Sequence, residues 1–260
     1  MLLVLVSWFE ARTDTLAPRV APSYSGNSIV NAADNSPGPL APGAIATIYG
    51  TNLSNVTRAL TGSDMSGNLL PTVLPGTGVH VLVGGLAAGI YYVSPNQINF
   101  LVPVILIPGP SQVIVTINGL AGPSIPITLA ATSPAFFQLD QQTVVASHID
   151  GSVVTADNPA HPGQIVVLYA TGLGMVNPPL TNLAVATAAA QLKQLAALKI
   201  TLDGNQVDAS HVPYAGVCPG FAGLYQINLQ LPDSVGPNPE LRVALGDESS
   251  PAGLILPVQP

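Results

Sequence analysis

Charge is the scarcest feature of this 260-residue sequence. Only 7% of the residues are charged, whereas about 25% is usual for a globular domain. Six Lys and Arg residues stand against 13 Asp and Glu residues, which gives a net charge of −7. Because the six cations do not cluster, the sequence lacks the basic footprint that binds nucleic acid or an anionic membrane surface. We therefore expect neither partner.

Cysteine and long apolar runs are also lacking. The single Cys218 excludes a disulfide within the chain, so cysteine usage permits an oxidising compartment without proving one. No apolar run reaches the ~18–20 residues of a membrane span. The first residues, MLLVLVSWFEART, resemble the core of a signal peptide but lack a basic start and a small-residue cleavage site. Two interpretations stay open for them, a truncated signal peptide or a β-strand.

Proline and glycine, by contrast, are abundant. The sequence has 26 Pro and 25 Gly, which places a turn or break about every ten residues. That spacing suits short strands and disfavours long helices over most of the chain. The apolar residues are mainly Val, Ile, Leu and Ala, a composition that does not fit a disordered chain. The composition predicts an all-β fold with the turn spacing of a sandwich.

An internal repeat organises the sequence. The segment PGAIATIYGTNL, from Pro42 to Leu53, returns as PGQIVVLYATGL, from Pro162 to Leu173. A second pair follows in the same order, QINFLVP from Gln97 to Pro103 and QINLQLP from Gln226 to Pro232. Two matches in the same order indicate a duplicated module.

The repeated residues have a structural interpretation. Pro-Gly ends a turn and begins a strand, and strands that are apolar on both faces belong inside a sheet. Each tyrosine stands near a strand end, where its hydroxyl can reach a loop carbonyl. Each glutamine can satisfy backbone groups that a loop leaves open. The predicted structural anchors are Pro42, Gly43, Tyr49, Gln97, Asn99, Pro162, Gly163, Tyr169, Gln226 and Asn228.

Each copy also carries two pairs of apolar runs joined by Gly-containing turns, typical of hairpins, so the unit has about seven short strands. We predict an N-terminal strand and extended lead-in over residues 1–27, a first module over 28–130 and a second over 134–260. Ser133-Pro134 in the linker favours extended structure. So short a linker implies limited freedom between the modules.

One segment breaks the β pattern. Residues 184–198, AVATAAAQLKQLAAL, are rich in Ala and Leu, with leucines at roughly helical spacing. The first module has no counterpart of equal length. We predict a short helix packed on the sandwich, with a loop as the alternative.

The motifs resemble a known family, the uncharacterised C-terminal domain of secreted proteins of Solibacter-type acidobacteria. The matching segments are Asn31-Ala32-Ala33, Ala41 to Leu53, Tyr92 to Asn99, Pro162 to Leu173, and Gly216 to Asn228. The halves of that family resemble IPT/TIG-type domains. The resemblance therefore implies two tandem immunoglobulin-like β-sandwiches in a secreted or cell-surface protein. It implies no catalytic residues.

Residues for catalysis or metal binding are hard to find. No G-x-S-x-G motif accompanies a base, and no glycine-rich loop precedes a helix with a lysine. His148, Asp150 and Asp157 lie close in sequence but lack ligand spacing. We expect no enzymatic activity, no cofactor and no metal site. Cys218 is interpreted as a buried or half-buried thiol, with intermolecular pairing as the alternative.

The leading hypothesis is a structural extracellular protein that assembles into a filament or surface layer, with itself or other surface proteins as partners. Low charge removes repulsion between copies, and sheet edges can pair with neighbours. The apolar N-terminal segment could also be donated to the next subunit as a strand. Its proposed assembly residues are Leu2, Leu3, Val4, Leu5, Val6, Trp8 and Phe9.

The alternative is a carbohydrate- or protein-binding accessory module of a secreted protein. A polysaccharide partner would need an exposed aromatic platform. The candidates for such a platform are Trp8, Tyr91, Tyr92, Phe136, Phe137, Tyr214 and Phe221.

Overall fold

The structure is a computed structural model and describes residues 20–260. Apart from 3-10 turns, its regular elements are all β-strands, which confirms the predicted all-β fold. The 3-10 turns span Gly26–Ser28, Gly62–Asp64, Leu195–Ala197 and Ala209–His211. In this part of the chain, no helix is long and apolar enough to cross a membrane.

The first ten strands build one sandwich of two antiparallel sheets. They are β1 (Ile29–Asn31), β2 (Ile45–Tyr49), β3 (Arg58–Ala59), β4 (Val79–Val83), β5 (Leu86–Ala87), β6 (Gly89–Val93), β7 (Gln97–Leu101), β8 (Gly109–Ile117), β9 (Leu120–Ala121) and β10 (Ile125–Leu129). One sheet has the order β1-β2-β7-β6-β3, and the other has the order β10-β8-β4-β5 with β9 paired to β8.

The remaining strands build a second sandwich. They are β11 (Ala135–Phe136), β12 (Ala146–His148), β13 (Ile165–Thr171), β14 (Val176–Asn177), β15 (Gln191–Leu192), β16 (Leu198–Leu202), β17 (Asn205–Gln206), β18 (Tyr214–Val217), β19 (Tyr225–Gln230), β20 (Leu241–Leu245) and β21 (Glu248–Ser249). The larger sheet has the order β11-β13-β19-β18-β15-β14 with β12 on β13, and the smaller has β17-β16-β20-β21. The chain is thus a tandem of immunoglobulin-like β-sandwiches.

Each sandwich has its own apolar core. Alternate residues of β4 and β8 face inward, as the two-residue period of a strand requires, and they pack against Ile48, Ile98 and Phe100 of the facing sheet. The second core is built in the same way around Phe136 and Leu168. Because each core draws on both of its sheets, burial holds the two layers of each sandwich together.

Tyr24 joins the first core although it belongs to the predicted lead-in. Its side chain is 9% exposed. Its hydroxyl donates to the Pro123 carbonyl at 2.6 Å and accepts from the Val115 N–H at 2.7 Å. The first sandwich therefore includes chain that precedes residue 28. The domain limits themselves stay predictions.

The two repeated motifs of each copy form neighbouring strands. Tyr49 lies opposite Gln97 in the β2–β7 pair, and Tyr169 lies opposite Gln226 in the β13–β19 pair. Both β2 and β13 lie inside their sheets, as their apolar faces predict.

The Pro-Gly anchors also occupy equivalent turns. Gly43 and Gly163 have φ of 79° and 75°, a conformation that glycine adopts without steric cost. Their N–H groups donate to the carbonyls of Val102 at 2.9 Å and Leu231 at 3.0 Å. Each turn, which follows directly on Pro42 or Pro162, is thereby tied to the end of the strand that carries the Q-I-N motif.

The polar anchor side chains bond differently from the prediction. The amides of Gln97 and Gln226 donate to the side chains of Asn99 and Asn228, at 2.8 and 2.7 Å, and not to loop backbone. Residues two apart on a strand share a face, so these side chains meet on the sheet surface.

The tyrosine hydroxyls also reach side chains and not loop carbonyls. Tyr49 donates to Asn35 Oδ1 at 2.8 Å, and the hydroxyl of Tyr169 lies 3.2 Å from that of Ser147. The predicted loop-carbonyl partners are therefore wrong.

The predicted helix over residues 184–198 is also wrong. The segment is extended and contains β15 and a single 3-10 turn, Leu195–Ala197. Ala184, Ala186 and Ala190 are buried, and the Val185 N–H donates to the Asn68 carbonyl of the first sandwich at 2.8 Å. Hydrogen bonds to a distant partner thus override the helix propensity of an alanine-rich sequence.

We call residues 178–190, between β14 and β15, the crossing segment, because they bind the second sandwich to the first. The Leu70 N–H donates to the Leu183 carbonyl at 2.9 Å. The Val104 N–H donates to Asn182 Oδ1 at 3.0 Å. A separate apolar cluster, which we call the interdomain cluster, fills the contact; it comprises Leu70, Leu101 and Ala222, with Ile45, Leu60, Tyr91, Leu183 and Val185 packed around them.

Candidate ligand-binding cleft

A cleft of about 600 Å³ lies where the two sandwiches meet beside the crossing segment. The first sandwich contributes the turn at Gly43, the end of β7 and the loop that follows it. The second contributes β14, β15 and the crossing segment. From the first sandwich the lining residues are Gly43, Leu101, Val104 and Ile105.

The walls from the second sandwich are mostly aliphatic, with Met175, Val176, Leu180 and Leu183 among the lining residues. Met175 is 63% exposed and Ile105, across the cleft, is 61% exposed. Apolar side chains that stay exposed in a concave site are available to a ligand.

Strand β15 places polar groups in this apolar setting. Leu192 is buried in the core of the second sandwich, whereas Gln191 and Lys193 on either side of it are exposed. The Lys193 N–H donates to the Met175 carbonyl at 2.8 Å, which fixes the backbone at this point. Gln191 belongs to β15 and Lys193 follows its last residue, and both residues line the cleft.

Lys193 is the one charged side chain among the residues that line the cleft. The other polar side chains on its surface are uncharged amides and hydroxyls, those of Asn177, Thr181, Gln191 and Tyr225. The cleft can therefore bury an apolar body and offer one cation and a few neutral hydrogen-bonding groups.

Tyr225 forms part of the cleft wall but is not free to react. It is 4% exposed, and its hydroxyl donates to the Gly174 carbonyl. Burial raises the pKa of Tyr225 above its ordinary value. The phenol is therefore neutral at physiological pH, with its proton already engaged, and serves as a structural contact.

Of the predicted structural anchors, Gly43 is the one that lines the cleft. Tyr49, by contrast, lies at the opposite end of β2. The proposed assembly residues Leu2, Leu3, Val4, Leu5, Val6, Trp8 and Phe9 lie outside the described residues.

The aromatic candidates do not come together as a platform among the described residues. Phe136 is fully buried, and Phe221 is 54% exposed. Tyr91 donates its hydroxyl to the Ala222 carbonyl, and Tyr214 donates to the Val217 carbonyl at 2.7 Å. Tyr92 and Phe137 are half-buried and Trp8 is outside the described residues.

The titratable residues singled out in the sequence are engaged in local structure. Asp150 accepts from the hydroxyl and N–H of Ser152, and these bonds lower the pKa of the carboxyl. Across residues 20–260, no three His, Cys, Asp or Glu side chains group as a metal site would require. Cys218 is 9% exposed, and burial raises the pKa of its thiol.

The first sandwich's contribution to the cleft was missed in the sequence, although a signal for it exists. After the second repeated motif, the first copy continues as Pro103-Val-Ile-Leu-Ile, whereas the second continues as Pro232-Asp-Ser-Val-Gly. Ile105 and Ile107 are 61% and 80% exposed, so the apolar character is not explained by core packing. The apolar segment after Pro103 has no counterpart in the second copy, and this difference is the signal in the sequence for the wall of the cleft.

Comparison with solved structures finds matches of low sequence identity and low TM-score. A surface glycan-binding protein of Bacteroides ovatus, in complex with a mixed-linkage heptasaccharide, is 13% identical with a TM-score of 0.34; the match covers 85% of this chain and 43% of that one. The titin tandem A164–A165 is 10% identical with a TM-score of 0.25, and covers 85% and 91% of the two chains. The Escherichia coli adhesin FdeC is 15% identical with a TM-score of 0.27, and covers 93% and 66%.

This chain spans less than half of the length of the Bacteroides ovatus protein. No family model and no curated protein matches the sequence. The resemblance to the Solibacter-type domain therefore stays a prediction.

Proposed function

We propose that this chain is a binding module of a secreted or surface-exposed protein, and that its ligand site is the interdomain cleft. The observation that carries the proposal is the combination of about 600 Å³ of concave space, aliphatic walls and a few converging polar groups. Ligand sites in proteins are typically clefts of ~300–1,000 Å³ with this composition, and they favour contacts between domains.

The hydrogen-bonded and apolar contact between the sandwiches supports the proposal. Thr171, which is fully buried, accepts from the Ile45 N–H at 2.9 Å and donates to the Gly223 carbonyl at 2.7 Å. With the crossing segment and the interdomain cluster, these bonds hold both walls in place before a ligand arrives. Preorganisation of this kind lowers the entropic cost of binding.

Self-assembly through sheet edges receives less support from the described residues. Their outermost strands have two or three residues each, except β10. Strand β10 contains Pro126, and its end is already paired with the backbone of Leu40. Short edges and proline leave little backbone for a neighbouring copy to pair with. Strand donation by residues 1–12 stays a prediction.

The same cleft favours binding over catalysis. Its ionisable side chains are Lys193 and the buried Tyr225, which do not make a nucleophile and base pair. A polysaccharide is the alternative ligand, and the Bacteroides ovatus protein is in complex with a mixed-linkage heptasaccharide. Among residues 20–260, the exposed aromatic side chains available for stacking on sugar rings are Tyr49 and Phe221, and both lie outside this cleft.

Binding of the uncharged apolar dye Nile red tests the proposal. We expect saturable fluorescence enhancement with the native chain, and about tenfold weaker binding in Ile105→Asp and Met175→Asp, because each places a carboxylate in an apolar wall. The matched control is Ile149→Asp, since Ile149 is 71% exposed and lies near the end of β13 that is distant from Thr171. Equal dye binding in all four proteins would contradict the proposal.

A further inference from the structure

Lys193 has no partner of its own within the described residues. Its ammonium takes part in none of their side-chain hydrogen bonds, and the single ion pair among them joins Arg58 to Asp64. Arg242 is also engaged, since its guanidinium donates to Ser249 and Ser250. The cleft thus holds a cation that the described structure does not neutralise.

The setting of Lys193 strengthens its attraction for an anion. No carboxylate lines the cleft, although acidic residues outnumber basic ones 13 to 6 over the whole sequence. The walls beside Lys193 are aliphatic, and a charge next to low-dielectric walls attracts an opposite charge more strongly than one in open solvent. An anion is therefore favoured inside the cleft and disfavoured over the acidic remainder of the surface.

We infer that the cleft takes a small amphiphile with an aliphatic body and one carboxylate, of the kind represented by a medium-chain fatty acid. The carboxylate pairs with Lys193, and Gln191 and Asn177 supply neutral amide donors beside it. The aliphatic body packs between Ile105 and Met175. This inference rests on the proposed function and adds the chemical class of the ligand.

Displacement of Nile red by two matched ligands, dodecanoate and dodecan-1-ol, tests the charge requirement. Both have the same aliphatic chain, and only the first carries a carboxylate at pH 8. With the native chain we expect dodecanoate to compete about tenfold more strongly than dodecan-1-ol, the effect of one charge-assisted contact. In Lys193→Gln the two ligands should become equal, and Lys193→Arg should restore most of the preference.

Lys199→Gln is the matched control, because Lys199 is an exposed lysine of β16 that does not line the cleft. It should retain the preference for dodecanoate. All variants replace exposed side chains, and thermal unfolding confirms that each is folded. If the native chain does not prefer dodecanoate, or if Lys193→Gln keeps the preference, the inference is overturned while cleft binding stands. Failure of Nile red itself to bind overturns the proposed function and this inference with it.

Discussion

Gly223 lies at a close approach of the two sandwiches. Its φ is 69°, in the left-handed region that glycine adopts readily. A Cβ at this position would lie 2.6 Å from Leu101 Cδ1 and 2.8 Å from the Gly43 carbonyl oxygen. Both contacts are in the first sandwich, so the absence of a side chain here lets the cleft walls meet at their base.

Gly223→Ala should destabilise the chain through this contact. A non-glycine residue in the left-handed region costs about 1–2 kcal/mol, and the collision with Leu101 and Gly43 should add about 1–3 kcal/mol. Urea unfolding measures the sum. Gly220→Ala is the control, because Gly220 has φ of 92° with nothing within 4 Å of the added Cβ. Equal losses in the two variants would show that the close approach has no energetic consequence.

At the scale of elements, the crossing segment determines the geometry of the cleft. It contributes Leu180, Thr181 and Leu183 to the lining, and its backbone pairs with residues 68–70 of the first sandwich. This pairing resembles a short strand contact across the boundary. These hydrogen bonds are made by the backbone. The stability of the pairing therefore depends more on the presence of each N–H than on which side chain each residue carries.

Val185→Pro should weaken both stability and dye binding. Proline removes the N–H that donates to the Asn68 carbonyl, and the orphaned carbonyl and altered backbone should cost about 3 kcal/mol. Val185→Ala keeps the N–H and should cost only about 1 kcal/mol in lost apolar burial. Urea unfolding and Nile red titration compare them. If Val185→Pro is as stable as Val185→Ala and binds Nile red equally well, the crossing segment does not hold the two sandwiches together as described.

At the scale of the whole molecule, the two sandwiches are expected to unfold as one cooperative unit. Each has its own core, but the interdomain cluster and the crossing segment couple them. When the contact between two units stabilises both, unfolding of one removes support from the other. We expect a single calorimetric transition for the native chain.

Leu70→Asp should separate this transition into two. Leu70 is 3% exposed in the interdomain cluster, and an unpaired carboxylate buried there disrupts the contact without entering either core. Leu69→Asp is the control, because Leu69 is 37% exposed and a surface substitution changes stability by only about 0.5 kcal/mol. Scanning calorimetry distinguishes one peak from two. A single unshifted peak for Leu70→Asp would show that the sandwiches are not coupled through this cluster.

The sequence by itself determined the all-β class and the duplication, because these depend on local patterns. Turns at Pro-Gly and alternation of apolar residues are properties of a few adjacent residues. They placed β2 and β13 inside their sheets without knowledge of any partner. The pairing of the two repeated motifs, Tyr49 with Gln97 and Tyr169 with Gln226, follows the same order in both copies.

Only the tertiary structure decided the conformation of the crossing segment and the existence of the cleft. Residues 184–198 have helical propensity, but hydrogen bonds to residues more than 100 positions earlier hold part of this segment extended. Likewise, Lys193 lies beside aliphatic cleft walls only because both sandwiches contribute residues to those walls. Local propensity amounts to less than about 1 kcal/mol per residue, so long-range backbone pairing and burial outweigh it wherever they compete.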